Sequence, residues 1–131
     1  MKIDRKRVYD KYEGHCAYCG NMIMFKEMQV DHMHPKRLSN LYEYCQKYID
    51  GRPGNINEMD NLMPSCRTCN HYKRALDIEG FRRQMLTLLG RVEQIYIYKV
   101  AVKYGICKSK AWDGIFYFEK SRNGVSSLKV S

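Results

Sequence analysis

The sequence predicts an α+β fold in which short strands and short helices gather around a cysteine-rich centre. Three observations carry that expectation. Two Cys-x-x-Cys pairs, Cys16/Cys19 and Cys66/Cys69, bracket the middle of the chain. Between and beside them lie apolar runs too short to be helices, Met22-Ile23-Met24-Phe25 and Gln29-Val30-Asp31-His32. Segments with apolar residues at helical spacing surround these runs.

In chain order, residues 4–13 place Val8, Tyr9 and Tyr12 on one side of a helical wheel and stop at Gly14, which makes a short helix leading to the first cysteine pair. Gly20 suits the tight turn after that pair. The runs 22–25 and 29–32 read as two strands, the second closed by Pro35. Leu38, Leu41, Tyr42, Cys45 and Tyr48 recur at helical spacing, so a helix is expected over 38–48, followed by the turn cluster Gly51-Arg52-Pro53-Gly54-Asn55. Asn61–Ser65 is a further extended segment ahead of the second cysteine pair. A helix over 70–89, broken at Gly80 and ended by Gly90, would present Phe81, Met85, Leu88 and Leu89 on one face. Another over 93–104 presents Ile95, Tyr96, Val100 and Tyr104 and stops at Gly105. Gly114–Lys120 reads as a strand from its β-forming residues, with a polar tail after it. The expected organisation is one domain over 1–90 and a small α/β extension over 91–131, helix plus strand, packed on it.

With 131 residues and 44% hydrophobic content, the chain can bury one modest core. The first residues are charged, and no segment approaches the roughly 18 apolar residues of a membrane span. The expectation is a cytoplasmic, non-secreted protein with no membrane association. Lys and Arg number 23 against 14 acidic residues, a formal charge of +9. That surplus favours a polyanionic partner, and nucleic acid above all. Lys99, Lys103, Lys108 and Lys110 occur with no acidic residue between Gln94 and Trp112, either as a solvated helix face or as a phosphate-contacting one.

Six cysteines in a chain without a secretion signal favour metal over disulfides, because four of them are spaced as Cys-x-x-Cys. Two such turns supply the tetrahedral thiolate set that Zn2+ prefers. A thioredoxin-like redox pair would need only one. A closed four-cysteine set leaves no open coordination position, so the zinc is structural and any chemistry lies elsewhere. Four thiolates and one Zn2+ lower the formal charge by about 2, to about +7, still strongly basic. Cys45 and Cys107 lack the spacing and read as free or buried thiols. His15 reads as a packing or surface histidine, since the four cysteines already complete the set.

Asp31-His32 sets a carboxylate metal ligand beside a proton acceptor at a strand end. Taken in order, Cys16-x-x-Cys19-Gly20, Val30-Asp31-His32-x-x-Pro35 and Asn61-Leu62-x-Pro64-x-Cys66-x-x-Cys69-Asn70-x-x-Lys73 resemble the zinc-containing, four-cysteine branch of the HNH endonucleases over about residues 5–76. The resemblance implies a ββα-metal (His-Me finger) core, in which two strands and a helix surround one divalent cation, Mg2+ or Mn2+ with Ni2+ as an alternative. It implies His32 as general base, Asp31 and Asn70 as ligands of the catalytic cation, and Asn61 as the residue that holds the loop and orients the imidazole. Each role suits its residue type. A neutral imidazole accepts a proton at cellular pH, and hard cations take carboxylate and amide oxygens.

Two departures accompany the resemblance: asparagine occupies the last position, where many members carry histidine, and the segment between Pro35 and Asn61 holds an inserted helix. Lys36, Arg37, Arg52, Lys73 and Arg74, with Arg82 and Arg83, are candidate contacts to the DNA backbone. His34 and His71 are weaker candidates for metal or phosphate contact. The implied partner is DNA, double-stranded by expectation, with a protein partner or a homodimer as further candidates, and a phage or mobile-element setting fits. A non-catalytic zinc-ribbon module that binds nucleic acid or protein is the alternative, and it would have no need of a base beside a carboxylate.

Overall fold

The computed structural model describes residues 3–35 and 58–122. The helix expected over 38–48, the turn cluster at 51–55 and Cys45 lie outside them. The chain divides into two compact units, one running to Ile78 and resuming at Phe116, the other spanning Glu79–Ile115.

In the first unit, helix α1 (Arg5–Asp10) is capped by the Asp4 carboxylate, which accepts from Arg7 N–H at 3.2 Å. Its buried face contributes Val8, which packs with Met28 and Leu62 and with the partly buried Ile3, Tyr9, Ile23, Val30 and Met59. Polar side chains fasten α1 to later parts of the same unit. Arg5 donates to the Met28 carbonyl at 2.9 Å and Tyr9 to the Ile23 carbonyl at 2.7 Å. Lys11 Nζ bridges the carbonyls of Met59 and Leu62 at 2.8 and 2.6 Å.

Strand β1 (Gln29–His32) pairs antiparallel with β2 (Leu62–Ser65), Asp31 opposite Met63 and His32 opposite Leu62. Residues 22–25 therefore do not form the partner strand. Met22 makes one isolated bridge to His15, Met22 and Met24 are largely exposed, and Phe25–Glu27 closes into a single 3-10 turn. The hydrogen-bonding partner of β1 comes instead from the segment just ahead of the second cysteine pair, far along the chain. A strand is defined by its partner, and spacing along the sequence does not name that partner.

Helix α2 (Arg67–Lys73) succeeds β2 directly and packs on β1. It ends at Arg74, whose φ of +53° is rare for a side-chain-bearing residue. This is where the expected long helix breaks. Helix α3 (Ile78–Leu86) runs through Gly80, and α4 (Leu88–Val92) contains Gly90, so neither glycine acts as the stop assigned to it.

In the second unit, Arg82 pairs with Glu79 at 3.0 Å and also donates to the Gly114 carbonyl at 2.5 Å, which secures the end of that unit to α3. Helix α5 (Tyr96–Lys103) ends at Gly105, which takes the left-handed φ of +76°.

The chain re-enters the first unit through Phe116 and helix α6 (Tyr117–Arg122), where a strand was expected. The Glu119 carboxylate accepts from Phe116 N–H at 2.9 Å, the reciprocal bond of a helix start. Tyr117 and Phe118 N–H groups donate to the carbonyls of Tyr18 and Ala17 at 3.1 and 2.7 Å. The aromatic residues that suggested a strand are used for packing on the first cysteine turn: Tyr18 meets Phe116 and Phe118 edge to face, at centroid distances of 5.6 and 6.1 Å. Gly20 is hemmed in by the same helix. Its φ is +84°, and a Cβ there would lie 2.7 Å from the Tyr117 ring. No helix among the described residues is long and apolar enough to cross a membrane.

Candidate functional site

The four paired cysteines converge. One sulfur from each of Cys16, Cys19, Cys66 and Cys69 lies within 4.8 Å of the others, and Cys19 and Cys66 Sγ are 3.9 Å apart. Zn–S bonds of about 2.3 Å in a tetrahedron set the sulfurs about 3.8 Å apart, so the set is of the size that zinc requires. Backbone N–H groups already point at two of the sulfurs. Asn21 N–H donates to Cys19 Sγ at 3.5 Å and Cys69 N–H to Cys66 Sγ at 3.4 Å, the latter also capping α2.

Electrostatics fit the same conclusion. Hydrogen bonds from Cys19 and Cys69 hold Cys16 as a thiolate, far below the usual thiol range. The bonds to Cys16 keep the donors protonated, pushing Cys19 up to about 11 and Cys69 upward as well. Further protons leave only if a cation takes their place. The four cysteines are positioned to hold a structural zinc ion. His15 stays outside the set, its Nδ1 3.0 Å from the Tyr12 carbonyl and its ring stacked on Tyr117 at 5.3 Å.

The zinc turns deliver two side chains to β1. Tyr18, inside the first turn, is buried, and its hydroxyl donates to Asp31 Oδ2 at 2.5 Å. Burial and then the adjacent Asp31 charge raise the Tyr18 phenol well above its ordinary range, so it remains a neutral donor. Lys73, at the end of α2, is 0% exposed. Its ammonium lies 2.9 Å from the same Asp31 Oδ2 and donates to the His32 carbonyl at 3.0 Å.

Lys73 was expected to face the DNA groove. The structure corrects this, because its charge is shielded from solvent and committed to the Asp31-His32 dipeptide. Breaking such a buried pair from one side costs about 3–5 kcal/mol. Tyr18 is the residue that spacing alone does not single out. The only hint is an aromatic side chain inside a Cys-x-x-Cys turn.

Asp31 is nearly buried, whereas the His32 side chain at the strand end is partly exposed. Asn61 sits in the 3-10 turn before β2 (Met59–Asn61), buried, and grips the loop after β1. Its Oδ1 accepts from His34 N–H at 2.8 Å and its Nδ2 donates to the His34 carbonyl at 3.1 Å, while Met33 N–H donates to the Asn61 carbonyl at 2.9 Å. The loop after His32 is thus tied to Asn61 through both its amide side chain and its backbone carbonyl. Replacing Asn61 by alanine is expected to cost about 1–3 kcal/mol through the unpaired His34 backbone. Asn61→Asp, which keeps the acceptor and loses the donor, should fall between alanine and wild type in urea denaturation.

His34 itself is 5% exposed. Burial lowers its pKa from the ordinary value; Asp77 opposes the shift and Lys73 adds to it. A buried neutral histidine contributes stability that is complete above about pH 6.5 and lost as the pH falls below it. Urea midpoints between about pH 7.5 and 5.5 should therefore drop more steeply for wild type than for His34→Gln.

Asn70 is partly buried on α2, one turn before Lys73 on the same side of the helix. The exposed side of α2 carries Arg67 and His71, at i and i+4, with the exposed Arg74 just past the helix end; Arg67 was not anticipated. Lys36, Arg37 and Arg52 lie outside the described residues. Arg82 is engaged by Glu79 and Gly114, while Arg83 and the four lysines Lys99, Lys103, Lys108 and Lys110 are exposed.

Comparison with known proteins agrees with this arrangement. The family model described as HNH endonuclease matches residues 16–75, the stretch from the first zinc cysteine to just beyond Lys73. No curated protein and no solved structure matched the chain. The matched stretch contains both cysteine pairs, the Asp31-His32 strand end and the Asn61 bridge, so residues 16–75 are an HNH endonuclease domain, and its clustered cysteines fit the zinc-binding branch of that family.

Proposed function

We propose that this domain is a metal-dependent DNA endonuclease with a ββα-metal core made of β1, β2 and α2, and that His32 is its general base. The observation that carries the reading is the direct linkage of α2 to the Asp31-His32 strand end by Lys73, with Asn70 one turn earlier on the same helix.

The residues present fit a hard divalent cation. Tyr18 and Lys73 both engage Asp31 Oδ2. A carboxylate anchored through one oxygen and offering the other is a common metal ligand, and Asn70 adds an amide oxygen donor. A bound Mg2+ or Mn2+, or Ni2+ as an alternative, would supply charge stabilisation for the phosphate and the leaving oxygen.

The chain supplies the rest. His32, partly exposed at the strand end, takes the proton from the attacking water. Asn61 fixes the adjoining loop and so the direction of the imidazole. Arg67 and His71 on the exposed side of α2, and Arg74 just past its end, hold the phosphate backbone, with Lys36, Arg37 and Arg52 as further candidates. The products carry 5'-phosphate and 3'-hydroxyl ends. Duplex DNA is the proposed substrate, and cutting both strands with one active site requires a second nick or a homodimer.

The test is cleavage of supercoiled plasmid in Mg2+, Mn2+ or Ni2+ against a chelator control. Nicked or linear product that depends on the added ion supports the reading. Duplex binding without cleavage in any of the three ions favours the non-catalytic binding module.

A further inference from the structure

Resting on the reading of Asp31 as a ligand of the catalytic cation, we propose that Tyr18 and Lys73 clamp one oxygen of Asp31 and that the Lys73 ammonium offsets its charge, so that the ion binds together with DNA and not ahead of it.

The geometry carries both halves. Tyr18 and Lys73 converge on Oδ2 from different elements, the first zinc turn and the end of α2, at 2.5 and 2.9 Å. Two donors on one oxygen set the plane of the carboxylate and aim Oδ1 as a single-oxygen ligand. Lys73 spans the dipeptide by also binding the His32 carbonyl at 3.0 Å, so the backbone that carries the base is held by the same group. Tyr18 is in turn backed by Phe116 and Phe118, which fixes the ring beneath its hydroxyl.

The charge balance comes from the same atoms. The Lys73 ammonium is 0% exposed, so water does not screen it from Asp31. Asp31 and Lys73 cancel, and Asn70 contributes a neutral amide. Among the described residues, the Asp77 charge acts on His34. A divalent ion approaching Oδ1 thus meets a carboxylate whose charge Lys73 already offsets, a DNA phosphate would supply further negative charge, and Mg2+ sites commonly combine protein carboxylate with substrate phosphate. Such coupling is reciprocal: whatever factor DNA adds to the affinity for the ion, the ion adds to the affinity for DNA.

The experiment uses His32→Ala protein of verified zinc content, so that DNA stays intact, and reads free Mn2+ by electron paramagnetic resonance with and without a duplex. The expected result is Mn2+ binding on the order of tenfold tighter with DNA, and duplex affinity raised by the same factor in Mn2+. Adding Lys73→Met should strengthen Mn2+ binding to the DNA-free protein and shrink the coupling. A merely structural lysine would not produce a gain in affinity. Tyr18→Phe keeps the buried charge, so it should retain the coupling and, with His32 restored, lower kcat more than it changes KM.

Equal Mn2+ affinity with and without DNA in the parent protein overturns the proposal, whether or not the Lys73 variant folds. Unchanged Mn2+ affinity in a zinc-loaded Lys73→Met protein overturns it too. Asp31→Asn separates this from the underlying reading. If Mn2+ binding survives that change, Asp31 is not a ligand, and the nuclease site is wrongly placed regardless of Lys73.

Discussion

Replacing His32 by alanine is expected to slow plasmid cleavage by about 10²–10⁴-fold, the usual contribution of a positioned general base. Zinc content and duplex affinity should stay at wild-type levels. The backbone of His32 is held independently of the imidazole: the carbonyl accepts from Lys73, and the strand pairing to Leu62 is made by main-chain groups. Removing the imidazole leaves Asp31, Lys73, Tyr18 and the Asn61 bridge in place. His34 is a poor substitute, being buried against the loop that Asn61 holds. Cleavage by the alanine protein at the wild-type rate would remove His32 from the mechanism. Loss of zinc or of duplex binding along with activity would mean that the residue supports the fold and not the proton transfer.

The largest effect on stability is expected from the zinc centre. Stripping the metal with a chelator, or replacing Cys66 by serine, should unfold the first unit, since structural zinc is worth on the order of 10 kcal/mol or more. That equals or exceeds the whole stability of most domains of this size. Three features make Cys66 the most damaging of the four to lose. It joins β2 to α2, its sulfur caps α2 by accepting from Cys69 N–H, and the helix it starts carries Asn70 and Lys73 to β1. Losing it releases the lysine and the candidate cation ligand together. Thermal denaturation tracked by circular dichroism, with released zinc measured by a colorimetric chelator, checks this. A cooperative transition at the wild-type temperature after complete zinc release would show that the core stands without the ion.

How much of this was legible in the sequence depended on whether the signal was local. The cysteine turns were readable because Cys-x-x-Cys spacing is itself the chelating geometry, and α1 and α5 because a short apolar stripe ended by a glycine needs little from elsewhere. The run 22–25 was read as a strand and is not one, and the actual partner of β1 was not legible, because pairing is a long-range choice. The β2 segment has four buried residues and could be recognised as extended, but nothing in it names β1 as its neighbour. Gly80 and Gly90 carried a stop signal that their helices overrode. The actual break, at Arg74, carries none, since a non-glycine residue takes a positive φ only when surrounding contacts outweigh the local preference. Phe116 and Phe118 were read as strand residues because aromatic side chains favour any half-buried surface, and here that surface is the ring of Tyr18.

The proposed base His32, the proposed cation ligands Asp31 and Asn70, the loop-holding Asn61 and the four cysteines were all nameable in sequence order, because such chemical roles are confined to a few residue types. What only the tertiary structure decided is how they are held. A lysine that looked like a surface phosphate contact is buried against Asp31, and a tyrosine with no motif of its own shares the same carboxylate oxygen. Burial and partner choice arise when the zinc turns and α2 close on β1. They depend on contacts between Tyr18, Asp31 and Lys73, which are distant along the chain and adjacent only after folding.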